Sequence, residues 1–317
     1  IIMASNLPSP ASSRAGAPPG VRTHSIEQIR AALPNTATIL NAIHQGFVEF
    51  SKGRMVVANV SQLKFDSHSQ HPGEVCIKSG YVRGDEHFVV KVAGGWPNNN
   101  TNTKGAVSNS QGCMLVFSQT TGELKAVLAD GGELTDIRTA AAACVCARAL
   151  APKNVKSIGF LGAGVVGSLT GLMLRKLFPE AKLVVWSRTK ATTSAFKAKM
   201  EARKWKEVAV VDDVEGLVKC DIIITSTPSS KPLLLDVKPG ALVIALGADS
   251  KGKRELGPNV FSGACIVCDS KDQCMQFGEC ASAVAEGKVR EAGVVELGVL
   301  LAMSEGGGKV NLNRLGM

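Results

Sequence analysis

An apolar run of the roughly 18 residues that a membrane-spanning helix requires is missing from this 317-residue chain. It therefore reads as a soluble protein of the cytoplasm. Aromatic residues make up only 4%. Single-stranded nucleic acid is bound by cationic grooves interleaved with stacking aromatics. Here Lys and Arg are scattered, with neither a basic block nor that interleaving. The net charge of +9 thus suits anionic small molecules better than nucleic acid. The start also lacks the apolar core of a signal peptide, and nine cysteines is an odd count. Both fit unbridged thiols in a reducing compartment. The densest group is Cys265, Cys268, Cys274 and Cys280. It holds one CxxC, but no second CxxC and no nearby histidine, and "ACIVCDS" alternates as a buried strand does. These read as structural thiols rather than zinc ligands, and no metal is expected.

What is abundant is small and apolar. Apolar residues reach 45%, with 33 glycines, a balance that suits close-packed α/β layers over about two domains. Residues 1–20 are rich in Ser, Pro and Ala and carry no acidic residue. They read as an unstructured start or a cloning remnant, with an organellar transit peptide as the alternative.

Along the chain, Ile39, Leu40, Ile43, Phe47, Val48 and Phe50 recur at helical spacing. Two hairpins follow. "EVCIKSGYV" and "HFVVKVAGG" flank "RGDE", and "CMLVFSQ" and "LKAVLAD" flank "TTGE". An Ala-rich helix, "LTDIRTAAAACVCARAL", is expected next, capped by Thr135 and stopped before Pro152. Beyond Pro152 the rhythm becomes strand and helix in alternation. The strands are "KSIGFLG", "KLVVWS", "VAVV", "DIIITS", "ALVIALG" and "CIVCDS", and helices are expected near Val165, Lys190 and Val214. That is the pattern of a doubly wound parallel sheet.

The chemistry begins at "GFLGAGVVGS", where Gly162, Gly164 and Gly167 form GxGxxG between an apolar strand and a helix. The first glycine allows a tight turn, the second lets backbone approach a pyrophosphate, and the third lets helix pack on strand. Ala163, Val165 and Val166 complete the loop, and the helix N-terminus offers N–H groups to phosphate. Thr227, past the "DIIITS" strand, is a further cofactor contact.

About 20 residues on, NAD-binding proteins of this fold place an acid on the ribose 2′-hydroxyl. Here "VVWSRT" places Ser187, Arg188 and Thr189. A carboxylate would repel a 2′-phosphate, whereas a guanidinium binds it with charge-assisted hydrogen bonds. The cofactor expected is NADP(H) rather than NAD(H), although an Arg at a strand end is also an ordinary solvated residue.

"ALVIALGADSKGKREL" carries Asp249 off the carboxyl end of a strand, where ligands of parallel sheets lie. An Asp there is equally at home capping a turn. Earlier, Lys78 and Lys91 sit in apolar, strand-like surroundings, where an inward cation needs an anion to offset desolvation. Arg138 is placed in the first turn of the Ala-rich helix, where a bound carboxylate would offset its unfavourable meeting with the helix dipole. With Arg54, these cations suggest a carboxylate pocket, although each alone is more often a surface charge.

Taken together, "GRMVV", "FVVKVAGGWPNN", "TGELKAVLADGGELTDIRTAAAA", "GFLGAGVVGS" and "LGADSKGKREL" resemble the ornithine cyclodeaminase/mu-crystallin family from about Val21 onward. The resemblance implies an α/β protein of two domains. One is a mixed α+β substrate-binding and dimerisation domain over residues 21–151, joined by 290–317. The other is a Rossmann dinucleotide-binding domain over 152–289. It implies a homodimer and a small amino or imino acid substrate. Arg54, Lys91 and Arg138 would hold the substrate carboxylate, with Lys78 beside them outside the core motif. Asp249, with Lys91, would serve at the reacting atoms. Family chains run past "LGM" into a final helix, so about one helix is expected to be missing here. Cyclodeaminases of the family keep an acid where Arg188 stands, and its ketimine reductases use NADPH. The expected activity is therefore NADPH-dependent reduction of a cyclic imino acid such as pyrroline- or piperideine-2-carboxylate. The alternatives are ornithine cyclodeamination and non-catalytic, NADPH-dependent ligand binding.

Overall fold

The computed structural model describes residues 20–65, 73–96, 99, 107–304 and 309–310. The expectations for residues 1–19 and for the end of the chain beyond Val310 fall outside these residues. The chain divides into two compact units, Ile1–Ala42 with Glu49–Asp136, and Ile43–Val48 with Ile137–Met317.

The first unit is built on a seven-stranded sheet. Strand β1 (Arg22–His24) leads into α1 (Ile26–Ala32) and α2 (Thr36–Ser51). Ser25 and Gln28 close a reciprocal capping box on α1. Asn35 accepts from the Thr38 N–H at the start of α2, and Gly53 at φ +69° follows its end. Next come β2 (Met55–Val57), β3 (Ser61–Phe65), β4 (Gly73–Val82), β5 (His87–Gly95), β6 (Ser110–Ser118) and β7 (Leu124–Leu128). The order is β1-β7-β6-β5-β4-β2, with β3 also on β4. All pairs are antiparallel except β1 with β7. Both expected hairpins form. Gly84 at φ +85° and Gly122 at φ +72° supply the left-handed positions their turns demand.

Helix α3 (Glu133–Leu150) follows, but Thr135 is not its cap. The helix starts earlier, at "DGGEL", because Asp130 accepts from the Leu134 N–H at 2.9 Å, and Thr135 lies inside the first turn. For the same reason Arg138, the sixth helical residue, belongs to the second turn rather than the first. The run of Ala residues lets α3 be buried nearly all round, with Ala140, Ala141, Cys144, Val145 and Ala147 at 0% exposure.

The second unit is built on a parallel sheet of β8 (Ser157–Leu161), β9 (Lys182–Trp186), β10 (Val208–Val210), β11 (Ile222–Thr225) and β12 (Leu242–Ala245). Its order is β10-β9-β8-β11-β12. The chain thus winds outward from β8 in one direction, then returns to its other side. Helices α4 (Val165–Leu174) and α5 (Lys190–Ala202) connect the first three strands. Gly171 allows them to approach closely, since a Cβ there would lie 2.8 Å from Met200 Sδ. Asp221 ties the entry ends of β8 and β11 together by accepting from the Lys156 and Ser157 N–H groups.

Two expectations differ here. The helix near Val214 is a single 3-10 turn, Val214–Leu217, capped by Asp213; Gly216, with a would-be Cβ only 2.7 Å from Val211, is pressed against the preceding strand end. And "CIVC", as β13 (Ile266–Cys268), does not join the parallel sheet. It pairs with β14 (Val294–Glu296) in a separate two-stranded sheet. The short helices α6 (Lys271–Cys274), α7 (Glu279–Ala285) and α8 (Leu297–Met303) complete the unit. Among the described residues no helix is long and apolar enough to cross a membrane.

Candidate active site

Strands β8 and β11 leave the middle of the parallel sheet on opposite sides of the winding reversal, where this architecture opens a crevice for ligands. The glycine loop fills the exit of β8. Gly162 sits at φ +104°, and a Cβ on it would lie 2.8 Å from Ser226 O. A Cβ on Gly167 would lie 2.6 Å from Gly162 O. These two glycines are required by the protein's own packing. Gly164 is different: it is exposed, at φ −72°, with nothing within 4 Å of its Cβ position. It is the N-cap of α4 but has no side chain to cap with, and the first turn holds no acidic residue. Open space over uncapped N–H groups is the arrangement a pyrophosphate needs, so the residues present fit a dinucleotide. Ala163 is buried, Val166 is half-buried and Val165 is 57% exposed.

The loop is fastened to the next strand, where the Gly162 N–H donates to Trp186 O at 2.9 Å. Ser187 and Arg188 therefore stand beside the glycine loop at the same edge of the sheet, Ser187 half-buried and Arg188 exposed. Thr189 caps α5, accepting from the Thr192 N–H. Its hydroxyl is thus engaged in the fold.

Across the reversal, sequence reasoning passed over the residue that organises the exits of β11 and β12. Glu255 is fully buried. Its Oε2 accepts from Thr225 Oγ1 at 2.7 Å and from the Gly247 N–H at 2.8 Å, and its Oε1 accepts from the Thr227 N–H at 2.6 Å. One carboxylate thereby holds Thr227 in place and anchors the loop that carries Asp249. Burial raises its pKa against the pull of these hydrogen bonds. Behind it, Glu279 accepts from the N–H groups of Glu255 and Leu256, and burial pushes its carboxyl up to about 7. Asp249 itself is 68% exposed and accepts from Lys253 Nζ at 2.7 Å. No spacing rule signals Glu255: a Glu within "GKREL" reads as one more surface charge until the strands are assembled.

In the first unit, Lys78 on β4 and Lys91 on β5 are direct cross-strand partners. Residues directly opposite in a ladder project from the same sheet face. The two side chains thus leave the same face from neighbouring positions, and both residues are half-buried, with Met114 on the far side of Lys91. Arg54 is not brought to them. It precedes β2, whose Met55 pairs with Val82, four residues from Lys78, or about 13 Å along the strand. Its guanidinium pairs with Glu49. In the second unit, the positive charge of Arg138 acts on Asp269, just past β13.

The fold and the glycine loop define a nicotinamide-dinucleotide enzyme of the doubly wound class. The chain belongs to the ornithine cyclodeaminase/mu-crystallin family, whose model matches residues 24–305; its members are oxidoreductases or cyclodeaminases. The iminosuccinate reductase of Paracoccus denitrificans is 33% identical over 227 residues, covering 69% of this chain and 67% of the relative. The ketimine reductase mu-crystallin of Rattus norvegicus is 25% identical over 255 residues, covering 80% and 79%. Among solved structures, the Paracoccus denitrificans iminosuccinate reductase in complex with NAD+ matches with a TM-score of 0.77 and 28% identity, covering 88% of this chain and 84% of that one.

Proposed function

We propose that this protein reduces a small cyclic imino acid, of the pyrroline- or piperideine-2-carboxylate type, to the amino acid with NADPH, acting as a homodimer. The observation that carries the reading is the Lys78–Lys91 pair. Two cations directly opposite in a ladder project from one sheet face, a placement that suits charge-assisted hydrogen bonds to a substrate carboxylate. The relatives support the same direction, since they include an iminosuccinate reductase and a ketimine reductase.

When bound, the nicotinamide supplies the hydride. The remaining work falls to the chain's own residues. Lys78 and Lys91 hold the substrate carboxylate, with Arg138 as a further cation, and so fix the ring against rotation. Asp249 faces the imine nitrogen and stabilises its protonated form, because an iminium accepts hydride far more readily than a neutral imine. Lys253, paired with Asp249, keeps that carboxylate oriented. Gly164 leaves room for the pyrophosphate, and Arg188 meets the 2′-phosphate, which favours NADPH over NADH.

The test is a pair of assays on one preparation. Oxidation of NADPH on addition of pyrroline-2-carboxylate, faster than with NADH, is the expected result. Ammonia released from ornithine without added reductant, and no NADPH oxidation, would instead make the protein a cyclodeaminase.

A further inference from the structure

Beside Asp269 and Glu279, β13, α6 and α7 gather three thiols. Cys268 ends β13, Cys274 ends α6 and Cys280 is the second residue of α7. Cys268 is 6% exposed and Cys280 9%, and they form a small cluster with Val294 against which Cys274 and Met275 pack. None of the three is in a disulfide. The Cys274 thiol hydrogen-bonds to those of both Cys268 and Cys280, and its Sγ lies 3.3 Å from Asp269 Oδ1. Three thiols packed in one small cluster are placed for thiol–disulfide chemistry. Among the described residues no group of three or more His, Cys, Asp or Glu is arranged to hold a metal ion.

Cys274 is the thiol primed to react. It is only half-buried, and hydrogen bonds from Cys268 and Cys280 stabilise its thiolate, drawing its pKa well below the ordinary thiol range. The same contacts and burial push Cys268 and Cys280 up. Burial also raises Cys144, Cys146, Cys220 and Cys265. A peroxide reacts with thiolate rather than thiol, so the chain's thiols are not equivalent targets.

We propose that Cys274 is a site of oxidation by hydrogen peroxide and that its oxidised form is captured by Cys268 as a disulfide. In the first step the Cys274 thiolate attacks one peroxide oxygen, the O–O bond breaks, and hydroxide leaves, giving a sulfenic acid. In the second, Cys268 Sγ attacks the Cys274 sulfur, the S–O bond breaks, and water leaves with the Cys268 proton. In total, two thiols and one hydrogen peroxide become one disulfide and two waters. Cys268 is favoured over Cys280 because its contact has the larger effect on the Cys274 thiolate. The proposal does not depend on the substrate assigned above.

Tryptic mapping separates the possible bridges. Cleavage after Arg254, Lys271 and Lys288 places Cys265 and Cys268 on peptide 255–271, and Cys274 and Cys280 on peptide 272–288. The full-length protein is treated with a few equivalents of hydrogen peroxide, alkylated without reductant, digested and analysed by tandem mass spectrometry. The expected result is a disulfide joining the two peptides, localised to Cys268 and Cys274 in the wild-type protein, removed by dithiothreitol, and retained in Cys265→Ser. Cys274→Ser should abolish it. Oxidation of exposed Cys265 ahead of Cys274, a bridge within peptide 272–288, or unmodified Cys274 would each overturn the proposal, and none of these readouts needs a folded variant.

Discussion

Two alanine substitutions three residues apart should fail in opposite ways. At Gly167 the new Cβ would lie 2.6 Å from Gly162 O, a backbone atom that cannot swing aside. Overpacking of this kind costs about 1–3 kcal/mol. The helix propensity of Ala over Gly returns about 1 kcal/mol, so the net loss should be up to about 2 kcal/mol. At Gly164 the Cβ meets nothing within 4 Å, and φ −72° is open to any residue. Ala is a poorer N-cap than Gly, but it also restricts the unfolded chain. These effects are each about 0.5 kcal/mol and opposite in sign, so stability should hardly change. The Cβ of Gly164→Ala would, however, occupy the space proposed above for the pyrophosphate. A loss of about 1.4–2.8 kcal/mol there is a 10- to 100-fold weaker dinucleotide affinity. Urea unfolding and fluorescence titration with NADPH measure the two quantities separately. Gly164→Ala should unfold like the wild type and bind poorly, whereas Gly167→Ala should unfold early. If Gly164→Ala binds NADPH as the wild type does, the loop does not hold the cofactor as argued.

Arg188→Ala should weaken NADPH relative to NADH by about 10-fold, the loss of one charge-assisted contact at an exposed position; equal effects on both cofactors would remove its role. Asp249→Asn should lower kcat about 100-fold while NADPH affinity stays within about twofold, and unchanged turnover would take Asp249 out of the mechanism. Glu279 links stability to pH. Its carboxyl rises from 4.5 to about 7 in the folded protein, so its contribution is fully present below about 4.5 and is lost as pH rises through about 7. The difference amounts to about 3 kcal/mol. Between pH 5 and 8 the wild-type Tm should therefore fall more steeply than that of Glu279→Gln; parallel curves would show that Glu279 is not held neutral.

Much of the second unit was legible because its signals are local. Each of the strands β8 to β12 is a short apolar run between turns, and the glycine spacing marks one particular strand exit. What a local signal cannot give is the partner. "CIVC" has the composition of a core strand, yet β13 pairs with β14 and stays out of the parallel sheet. Caps were misjudged in the same way. Asp130 and Thr135 both suit a helix start, and the choice falls to the residue whose carboxylate reaches the Leu134 N–H. The Lys78–Lys91 pairing was within reach, since a four-residue "RGDE" turn between Val82 and His87 fixes the register that sets them opposite. Glu255 was not. Its role exists only where the exits of β11 and β12 converge on one buried carboxylate, a long-range fact with no periodicity to announce it.

The central claim is that hydride passes from reduced nicotinamide to the imine carbon of a cyclic imino acid. The most direct measurement uses NADPH deuterated at C4 of the nicotinamide, with pyrroline-2-carboxylate as substrate and mass spectrometry of the product. Proline carrying one deuterium at C2 is the predicted result. Unlabelled proline, or none at all while NADPH still binds, would contradict the account.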